Sequence, residues 1–422
     1  MKNNFLITAA ASMVSAHNRK KTISKIKNVN EANRNIHNIG QVSPDVIIPE
    51  NTFHGNLCIT GGTDEVRNSL LIQNCKQSLA QGIPTIVIHE GNYHLEYEIK
   101  RLFSGKCYCR IANKGDSSYE PIYRLDTDEQ ALLIREASRE DELIGTDGNL
   151  YIRALSDICN AKGIPSYMRM LASFPFNSAQ TIIAQLENGG KISHDEALRI
   201  RNDLMSGAVE RSKIEQYFTK LTAEGDIIAW KDNLGRSTSI SECIRNKGVL
   251  IIDIGTNAKK TLMSTIRAEI MKCINEGKSF RVIFDSATMA QNPLLLDLLS
   301  KSYSSFFWTL SSADLNVMVN AGGKLTSWIA LSHKLVMFAN SLGTAQALSS
   351  ELGEYDFIDV ANSHAGNTDF GNFGLHFGVN DNIQTSNRRE KVIKAEEITM
   401  LKEKEFFLLD NNCSELLRGV VA

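Results

Sequence analysis

Two adjacent glycines, Gly61 and Gly62, separate a short apolar run at residues 57–59 from a stretch with helical periodicity that begins near Glu65. A strand, a glycine turn and a helix in this order form the phosphate-binding loop of many nucleotide-binding proteins, whose pattern is G-x-x-x-x-G-K-[ST]. Successive backbone N–H groups of that loop surround the phosphates, and glycine allows a close approach and unusual backbone angles. With Thr63, the two glycines therefore predict a turn of the phosphate-binding type.

The remaining positions of the pattern hold residues of different chemistry. Val66 replaces the second glycine, and its β-branched side chain fills space that a phosphate needs. Arg67 keeps the positive charge of the lysine but not its compact ammonium group, and Asn68 replaces the magnesium-ligating hydroxyl. Asp64 and Glu65 add carboxylates near the phosphates, and each like-charge contact at ~4 Å costs about 4 kcal/mol. Together these changes argue against tight binding of Mg·ATP.

A second requirement of nucleotide hydrolysis is a carboxylate at the end of a strand, where it holds the magnesium ion. Asp285 ends the apolar run "FRVIFD" and is either the remnant of such a metal site or a strand-end residue that caps the next turn. Ser286 follows it, and a serine cannot act as a general base at neutral pH. Ser311 and Ser312 end a further strand, at the edge where open α/β proteins place ligand groups, although serine also forms turns.

The histidines and cysteines predict no metal site. Three histidines lack the spacing of metal ligands and are expected in core or loop roles: His333, His364 and His376. His89 and Glu90 end a strand and are equally consistent with solvated and functional roles. The eight cysteines are scattered, and Cys107 and Cys109 are separated by one residue instead of the two of a zinc knuckle. Free thiols of this kind act as small hydrophobic side chains.

Hydrophobic periodicity divides the chain into three parts after residue 45. Residues 46–125 alternate strands with helices, which indicates a βαβ unit and hence a parallel sheet. Residues 126–246 carry amphipathic helical patterns without strand-like runs, which predicts an inserted all-α domain. Strands and helices resume over residues 247–422, where the Asn- and Gly-rich segment 362–387 is expected to be a loop. The predicted fold class is α/β, with a doubly wound, mainly parallel sheet and an all-α insertion.

The charge distribution is uneven at the N-terminal end. The 422-residue chain has a formal net charge of −2, which gives no overall attraction to nucleic acid or anionic membrane. Residues 17–35, however, hold six basic residues against Glu31 alone. Residues 1–45 are therefore predicted to form a basic, flexible arm that makes weak contact with nucleic acid or a membrane surface, or that is a solvated tail.

The apolar residues 4–16 bear on the cellular location. They carry no charge, but they are fewer than the ~20 residues that a membrane-spanning helix needs. The basic residues that follow directly oppose export. Since the cysteines also fit a reducing compartment, a cytoplasmic protein without a transmembrane helix is expected, either free or peripheral to the inner face of the membrane.

Taken in order, these segments resemble those of the type IV coupling proteins, the TraG/TraD-type ATPases of conjugation and type IV secretion, which are related to the FtsK and HerA motors. "NLCITGGTDEVRNSLL" resembles the family's nucleotide loop, "GKSFRVIFDSA" its magnesium-carboxylate strand and "SSFFWTLSSADLNVMV" the strand that carries Ser-Gln in the family. "HKLVMFANSLGTAQALSSELGEYDF" and "VIKAEEITMLKEKEFFLLDNN" resemble its closing segments. The likeness covers residues 45–412 and implies a RecA-like P-loop fold that forms a ring, usually hexameric. Such a ring passes a relaxase–DNA substrate or effector proteins to a secretion channel.

The departures from the family pattern fall on its chemical groups. The loop lacks its glycine, lysine and threonine, the strand-end acidic pair lacks its glutamate, and Ser312 replaces the glutamine. The family's N-terminal membrane helices have no counterpart among the recognised segments. Asp285 is thus carried over as a remnant of the metal site. The remnants of the nucleotide site are Gly61, Gly62, Thr63, Arg67, Asn68, Ser311 and Ser312.

Three hypotheses about function remain open. The first is a catalytically degenerate member, a pseudo-ATPase without nucleotide or metal, which forms homo-oligomers and recruits a relaxase–DNA or effector substrate through its all-α domain. The second is an active or weakly active DNA-translocating ATPase that uses Arg67 and Asn68 with ATP and Mg²⁺. The third is a non-catalytic subunit in a mixed ring with a catalytic paralogue. Because the losses are concentrated on phosphate, metal and water-orienting groups, the first hypothesis is preferred.

Overall fold

The computed structural model describes most of the chain and divides it into two compact units. The described residues are 17–32, 40–41, 55–103, 107–111, 117–140, 144–224, 228–229, 231–255, 259–285, 297–301, 303–315, 330–371, 374–411 and 415–421. The larger unit is Pro49–Val336, and the smaller unit combines Met1–Ile48 with Met337–Ala422. The domain boundaries at residues 45, 125 and 246 rest on sequence patterns and stay a prediction.

The named elements alternate between strands and helices at both ends of the chain, with a helical run between them. The first elements are α1 (residues 17–32), β1 (Gly40–Gln41), β2 (Leu57–Thr60), α2 (Asp64–Ala80), β3 (Thr85–His89), α3 (Tyr93–Leu102) and β4 (Cys107–Ile111). The helical run comprises α4 (Thr127–Ala137), α5 (Thr146–Ala161), α6 (Met168–Ala172), α7 (Ala179–Asn188), α8 (His194–Ser206), α9 (Arg211–Ala223) and α10 (Ile240–Arg245). The last elements are β5 (Val249–Asp253), α11 (Lys260–Asn275), β6 (Phe280–Asp285), β7 (Phe306–Ser312), β8 (Lys334–Met337), α12 (Leu342–Glu351), β9 (Glu354–Gly371), β10 (Gly374–Lys391), α13 (Ala395–Thr399), β11 (Glu405–Asp410) and β12 (Glu415–Val420).

The larger unit is built on a sheet with the strand order β8–β2–β7–β6–β3–β5–β4. Neighbouring strands from β2 to β4 in this order pair in parallel. Every residue of β2, β3 and β5 is buried, as expected of a parallel sheet that is covered on both faces. The mainly parallel α/β sheet predicted from the sequence is therefore confirmed. Parallel pairing also brings the carboxyl ends of these strands to one edge.

The helical run between β4 and β5 is joined to α11 by a buried carboxylate. Glu269 is 0% exposed and accepts hydrogen bonds from the N–H groups of Ile240 (3.2 Å) and Ser241 (2.8 Å) at the start of α10. It also accepts one from the Tyr119 hydroxyl at 2.6 Å. Burial raises the pKa of Glu269, and these hydrogen bonds oppose the rise. The carboxylate thus satisfies N–H groups that have no partner within their own helix.

The smaller unit contains a three-stranded arrangement in which β11 pairs antiparallel with β12, and β1 pairs parallel with β12. The Phe338 ring contacts the Phe406 ring of β11, with a centroid separation of 5.9 Å. The Ser349 hydroxyl on α12 donates a hydrogen bond of 2.5 Å to the carbonyl of Ile393, which precedes α13. The sequence patterns did not predict the final strand β12.

A long antiparallel ribbon of β9 and β10 replaces the loop predicted at residues 362–387. The two strands pair without interruption from Glu354 opposite Lys391 to Gly371 opposite Gly374. The loop prediction was wrong because it rested on Asn and Gly composition, which indicates low strand propensity. Main-chain N–H and C=O groups form the ladder whatever the side chains are. His364 and His376 lie on this ribbon, and their side chains fall outside the described part of the chain.

Helix α1 also differs from the flexible arm that the sequence predicted. Residues 17–32 are helical, and Asn30 is 9% exposed. The Asn30 side chain donates a hydrogen bond to the carbonyl of Ile358 (2.9 Å) and accepts one from its N–H (2.7 Å). The Asn30 amide therefore pairs with the β9 backbone as another peptide group would. Local composition cannot predict a contact between residues so far apart in the sequence.

The cysteines behave as buried apolar side chains, as the sequence indicated. Five of them are buried among the described residues: Cys58, Cys75, Cys159, Cys243 and Cys273. Burial raises the pKa of the Cys58 thiol to about 12, which keeps it protonated and unreactive at neutral pH. Among the helices that the structure describes, none has the length and apolar character needed to cross a membrane.

Candidate functional site

The turn between β2 and α2 has the backbone geometry that its glycines predict. Gly61 and Gly62 have φ angles of 79° and 68°, in the left-handed region that favours glycine. The Gly61 N–H donates a 3.0 Å hydrogen bond to the carbonyl of Ser312 on β7. Thr63 occupies the N-cap position of α2, although its side chain makes no capping hydrogen bond. The turn predicted from the sequence is thus present.

Helix α2 begins earlier than the phosphate-binding pattern requires. Its first residue is Asp64, so the three residues before Arg67 belong to the first helical turn instead of an open loop. Free N–H groups at a helix N-terminus attract anions, but here Asp64 and Glu65 already supply negative charge to that turn. Val66 is 4% exposed and packs into the core. A phosphate would meet two carboxylates at this helix end.

Arg67 is directed into the turn rather than toward solvent. It is 6% exposed, and its Nη1 donates hydrogen bonds to the carbonyls of Gly61 (2.9 Å) and Gly62 (2.6 Å). Its Nη2 pairs with the Asp64 carboxylate. The lysine of a working loop directs its charge to the phosphates. The Arg67 guanidinium instead stabilises the turn in which it lies.

Replacing this side chain by Arg67→Ala is expected to lower the free energy of unfolding by about 2 kcal/mol, since two carbonyls lose their donor. The oligomeric state and partner binding are expected to stay unchanged. Denaturant unfolding measures the stability, and light scattering after gel filtration measures the oligomeric state. Arg101→Ala is the matched control, because Arg101 contacts Glu98 on the surface with 58% of its side chain exposed. Dissociation of the Arg67 variant would contradict a purely local role.

A chain of side-chain amides connects helix α2 to the carboxyl end of β6. Asn68 and Asn92 are joined reciprocally, with Asn92 Nδ2 donating to Asn68 Oδ1 at 2.8 Å and Asn68 Nδ2 donating to Asn92 Oδ1 at 3.2 Å. Asn92 Nδ2 also donates to Asp285 Oδ2 at 2.5 Å. Asn68 Nδ2 lies 3.4 Å from His94 Nδ1. The Asn92 amide therefore lies between Asn68, which replaces the magnesium-ligating hydroxyl of the loop pattern, and Asp285, the candidate remnant of the metal-site carboxylate.

The orientation of the Asn92 amide follows from its other contacts. Asn92 is the N-cap of α3, and its Oδ1 accepts a 3.1 Å hydrogen bond from the N–H of Leu95. Its own N–H donates to His89 Nδ1 at 3.0 Å. Because the N-cap bond needs the amide oxygen, the amide nitrogen must face Asp285. This position identifies Nδ2 as the donor to the carboxylate.

Polar residues lie side by side at the carboxyl ends of four strands. In the sheet register, His89 of β3 is opposite Asp253 of β5 on one side and Asp285 of β6 on the other, and Asp285 is opposite Ser311 of β7. β7 separates β6 from β2, which places Asp285 about 10 Å across the sheet from the glycine turn. The strand order thus brings Asp285 to the same edge as the turn, but not next to it.

His89 is a buried member of this row, so the solvated alternative is wrong for it. His89 is 0% exposed, its Nδ1 lies 3.8 Å from Asp253 Oδ1, and its Nε2 lies 3.7 Å from Glu96 Oε2. Asp253 Oδ1 also accepts hydrogen bonds from two turn N–H groups, those of Gly91 (3.1 Å) and Gly255 (2.9 Å).

Asn92, Glu96 and Asp253 join His89 and Asp285 in a polar cluster at this sheet edge, and the sequence patterns did not predict these three members. A local signal existed for Asp253, since "VLIID" ends in an aspartate just as "FRVIFD" does. Asn92 also precedes a helical pattern in the position of an N-cap. No local signal indicates that either side chain lies near Asp285.

The two serines of β7 have different environments. Ser312 Oγ accepts a hydrogen bond from the Asp314 N–H (3.2 Å) and donates one to the Asp314 carbonyl (2.9 Å), so it forms a local turn. Ser311 is 0% exposed, and its hydroxyl makes no hydrogen bond with any residue that the structure describes.

His333 accepts a 2.8 Å hydrogen bond from the Asn56 N–H through Nδ1, which matches the loop role expected of it.

The residues of the turn and the polar cluster do not fit magnesium and a triphosphate. Asn68 Oδ1 and Asp285 Oδ2 both accept from the Asn92 amide, and the Arg67 guanidinium is engaged by the turn. Within the described ranges, no group of three or more His, Cys, Asp or Glu side chains is arranged to hold a metal ion. The arrangement provides internal hydrogen bonds in place of ligand contacts.

No protein-family model matches the sequence, and the comparison with curated proteins gives no match. Solved structures of a plasmid coupling protein do match. TrwB with the ATP analogue ADPNP has a TM-score of 0.53 and 16% identity, covering 93% of this chain and 92% of that chain. The unbound bacterial conjugative coupling protein TrwBΔN70 has a TM-score of 0.52 and 15% identity, covering 94% and 91%.

The chain has the coupling-protein fold. TrwB with the GTP analogue GDPNP matches similarly, with a TM-score of 0.51 and 15% identity over 93% of this chain and 92% of that chain. The coupling-protein fold confirms the RecA-like α/β class that the sequence resemblance implied. At these identities the likeness concerns the fold, and the chemistry of the site must be argued from this chain's own residues.

Proposed function

We propose that this protein is a catalytically degenerate coupling-protein-like component of a conjugation or type IV secretion-type transfer system. It contributes by binding other proteins and their cargo, without hydrolysing ATP. The observation that carries this proposal is the Asn92 amide, which donates to Asn68 Oδ1 and to Asp285 Oδ2 at 2.8 and 2.5 Å.

The Asn92 amide nitrogen lies between Asn68 Oδ1 and Asp285 Oδ2, the two oxygens that a cation at this site would use as ligands. Magnesium requires oxygen ligands at about 2.0–2.1 Å in an octahedral arrangement, and an amide N–H donor supplies no such ligand. A cation at Asp285 would have to displace Asn92, whose oxygen also caps α3 through the Leu95 N–H. Displacement therefore costs a helix cap as well as the amide contacts. Because a cation would have to displace both the helix cap and the amide contacts, these contacts favour a degenerate site over a functional one.

The positive charge of Arg67 supports the same proposal. A triphosphate would need the Arg67 guanidinium to release Gly61, Gly62 and Asp64 before it faced the ligand. The released carbonyls would then lack this donor in a partly buried turn. TrwB itself has been solved with ADPNP and with ADP and Mg²⁺, so the fold is compatible with nucleotide in that protein. Nucleotide binding is accordingly the property that tests the proposal.

The helical region is the proposed recruitment surface for a relaxase–DNA or effector substrate. Leu198, Met205 and Val209 are 43%, 66% and 67% exposed. They follow one another by seven and four residues, which places Leu198 and Met205 on one face of α8 and Val209 just beyond it. Such an exposed apolar stripe is typical of a protein-binding surface. Assembly as a homo-oligomer, or in a mixed ring with a catalytic paralogue, belongs to the same proposal.

Equilibrium binding of a fluorescent ATP analogue, with and without Mg²⁺, tests the proposed degeneracy. No binding is expected even at millimolar nucleotide, because the Arg67 guanidinium donates to the Gly61 and Gly62 carbonyls instead of facing a phosphate. Gel filtration and circular dichroism of the same preparation control for folding. Micromolar binding that Arg67→Ala abolishes would overturn the proposal and favour an active ATPase, which a DNA-stimulated hydrolysis assay would then examine.

A further inference from the structure

The β9–β10 ribbon is a large element that the proposed site does not use. Each of its strands has 18 residues, which corresponds to a length of about 60 Å. Among the described residues the ribbon forms a two-stranded sheet of its own, so each strand pairs with another strand on one side only. Because an isolated two-stranded ribbon is marginally stable in water, a further contact is expected to stabilise it.

The end of the ribbon nearest to α12 and α13 is held by contacts between directly opposite residues. Lys391 Nζ lies 2.9 Å from the Oε1 atom of Glu354, its partner in the register. The Arg388 guanidinium carbon lies 5.1 Å from the ring centroid of Phe357, which is also its partner in the register. Such cross-strand pairs stabilise this end of the ribbon without help from another chain.

The sequence of the remaining part of the ribbon has a different composition. Residues 360–387 contain two aspartates and no Lys, Arg, Glu or Pro. Edge strands of monomeric proteins commonly carry charged residues, above all Lys, or Pro, which prevent pairing with strands of other molecules. This segment has almost none of that protection, and it offers no cation to the phosphates of a nucleic acid. Its composition therefore favours pairing with another uncharged strand.

The register identifies the main-chain groups that face away from the ribbon. The N–H and C=O groups of Ile358 both bond to the Asn30 side chain on α1 instead of to β10. The pair Ile358–Asn387 is therefore a non-hydrogen-bonded pair of the antiparallel ladder, and such pairs alternate with hydrogen-bonded ones. Consequently the odd-numbered residues of β10 and the even-numbered residues of β9 direct their N–H and C=O groups outward.

The two outer edges of the ribbon differ in accessibility. On β9, Asn30 occupies the outward groups of Ile358, and residues 357–360 are half-buried. On β10, residues 385–389 at the same end of the ribbon are exposed. An incoming strand would thus meet the α1 contact on β9 but not on β10, which makes β10 the edge that can accept a further strand.

We propose that β10 pairs antiparallel with β10 of a second copy of this chain, so that two ribbons form a four-stranded sheet about a two-fold axis. A second copy fits this edge because a two-fold contact covers the outward groups of both β10 strands at once. The neutral composition of residues 360–387 also avoids repulsion between identical strands. The inference goes beyond the proposed function, since strand pairing does not depend on whether nucleotide binds.

Light scattering after gel filtration of the full chain, over a series of concentrations, tests the inference. The wild type is expected to be a dimer at the higher concentrations. The double variant Val379→Pro with Thr385→Pro removes two outward N–H groups of β10, and the ladder within the ribbon is kept because neither N–H belongs to it. Its dimer dissociation constant is expected to rise by about tenfold or more, since two hydrogen bonds between the copies are lost.

The double variant Val360→Pro with Thr368→Pro is the matched control. It replaces the same two residue types at outward positions of β9, the opposite edge of the same ribbon. It should dimerise like the wild type. A weakened dimer in this control, or an unchanged dissociation constant in the β10 variant, would overturn the inference. A monomeric wild type would also overturn it and would leave a strand of another protein as the occupant of the edge.

Hydrogen exchange of the wild type at low and high concentration gives a second measurement that needs no variant. The N–H groups of odd-numbered β10 residues are expected to exchange more slowly at high concentration, because they then donate to the second copy. A dimer in which these groups exchange at an unchanged rate would overturn the inference. The nucleotide titration tests the proposed degeneracy separately, so failure of either experiment leaves the other conclusion standing.

Discussion

Replacing Asn92 by aspartate is expected to destabilise the protein by about 3 kcal/mol at neutral pH and to make its stability depend on a divalent cation. The new carboxylate would face Asp285, whose Oδ2 lies 2.5 Å from the Asn92 amide nitrogen. Aspartate is as good an N-cap as asparagine, so the Leu95 contact of α3 is preserved. The loss therefore combines the charge repulsion with the missing hydrogen bond from Asn92 Nδ2 to Asn68 Oδ1.

Thermal unfolding with and without Mg²⁺ measures this effect. The two carboxylates and Asn68 Oδ1 would then offer oxygen ligands to the ion, so Mg²⁺ should raise the Tm of the Asn92→Asp variant and not that of the wild type. The double variant Asn92→Asp with Asp285→Asn is the control, because it restores one amide and one carboxylate. It should regain stability without the ion. A wild-type Tm that rises equally with Mg²⁺ would contradict the view that the amide replaces a cation.

The Glu120→Gln variant is expected to remove a large pH dependence of stability. Glu120 is 3% exposed, and both its carboxylate oxygens lie 3.2 Å from the Met168 N–H at the start of α6. Burial, with a smaller contribution from the buried carboxyl of Glu269, raises the pKa of Glu120 from 4.5 to about 8, even though the backbone hydrogen bonds and Arg169 lower it. The folded state therefore binds a proton more tightly than the unfolded chain.

The sign of the pH effect follows from this raised pKa. The stabilisation that the protonated Glu120 carboxyl provides is complete below pH 4.5, the pKa of this group in the unfolded chain. It is lost as the pH rises toward about 8, the pKa in the folded state. Within that window, the wild type should lose about 1.4 kcal/mol per pH unit relative to Glu120→Gln, which stays neutral and keeps an oxygen for the Met168 N–H. Urea unfolding at several pH values measures the difference.

Glu403→Gln is the control for the pH series, because Glu403 is an exposed residue with the same change of charge. It should follow the wild type at every pH. If the unfolding free energy of Glu120→Gln changes with pH as steeply as that of the wild type, the Glu120 carboxyl is not the group that titrates. Glu269, whose pKa is also raised by burial, then becomes the candidate.

The contacts of Asn92 and Arg67 at this sheet edge follow one physical principle. Polar groups at a ligand site must stay available for the ligand, whereas buried polar groups without a ligand need internal partners. Arg67 finds its partners in the turn, and Asn92 joins Asn68 to Asp285. Satisfied internally, these side chains contribute to a unique folded state. Under the proposed function, the fold is retained while its chemistry is lost.

The amino-acid sequence by itself determined the local structure around the site. Short apolar runs predicted the parallel strands, since strands buried on both faces need apolar residues at every position. The pair Gly61–Gly62 predicted a turn with unusual backbone angles, and both glycines adopt the positive φ angles that glycine tolerates readily. The residue types at Val66, Arg67 and Asn68 already indicated altered chemistry. These properties depend on neighbours within a few residues, which is why sequence patterns reveal them.

The tertiary structure alone decided which of these residues meet. Asn92 and Asp285 are 193 residues apart in the chain, and the strand order brings them together at one edge. The burial of His89 beside Asp253, the Asn30 contact with Ile358 and the β9–β10 ribbon arise in the same way. Each depends on backbone pairing between distant segments, and the energy of such pairing leaves no periodic signature in the local sequence. Only the assembled sheet therefore identifies the amide that lies between Asn68 and Asp285.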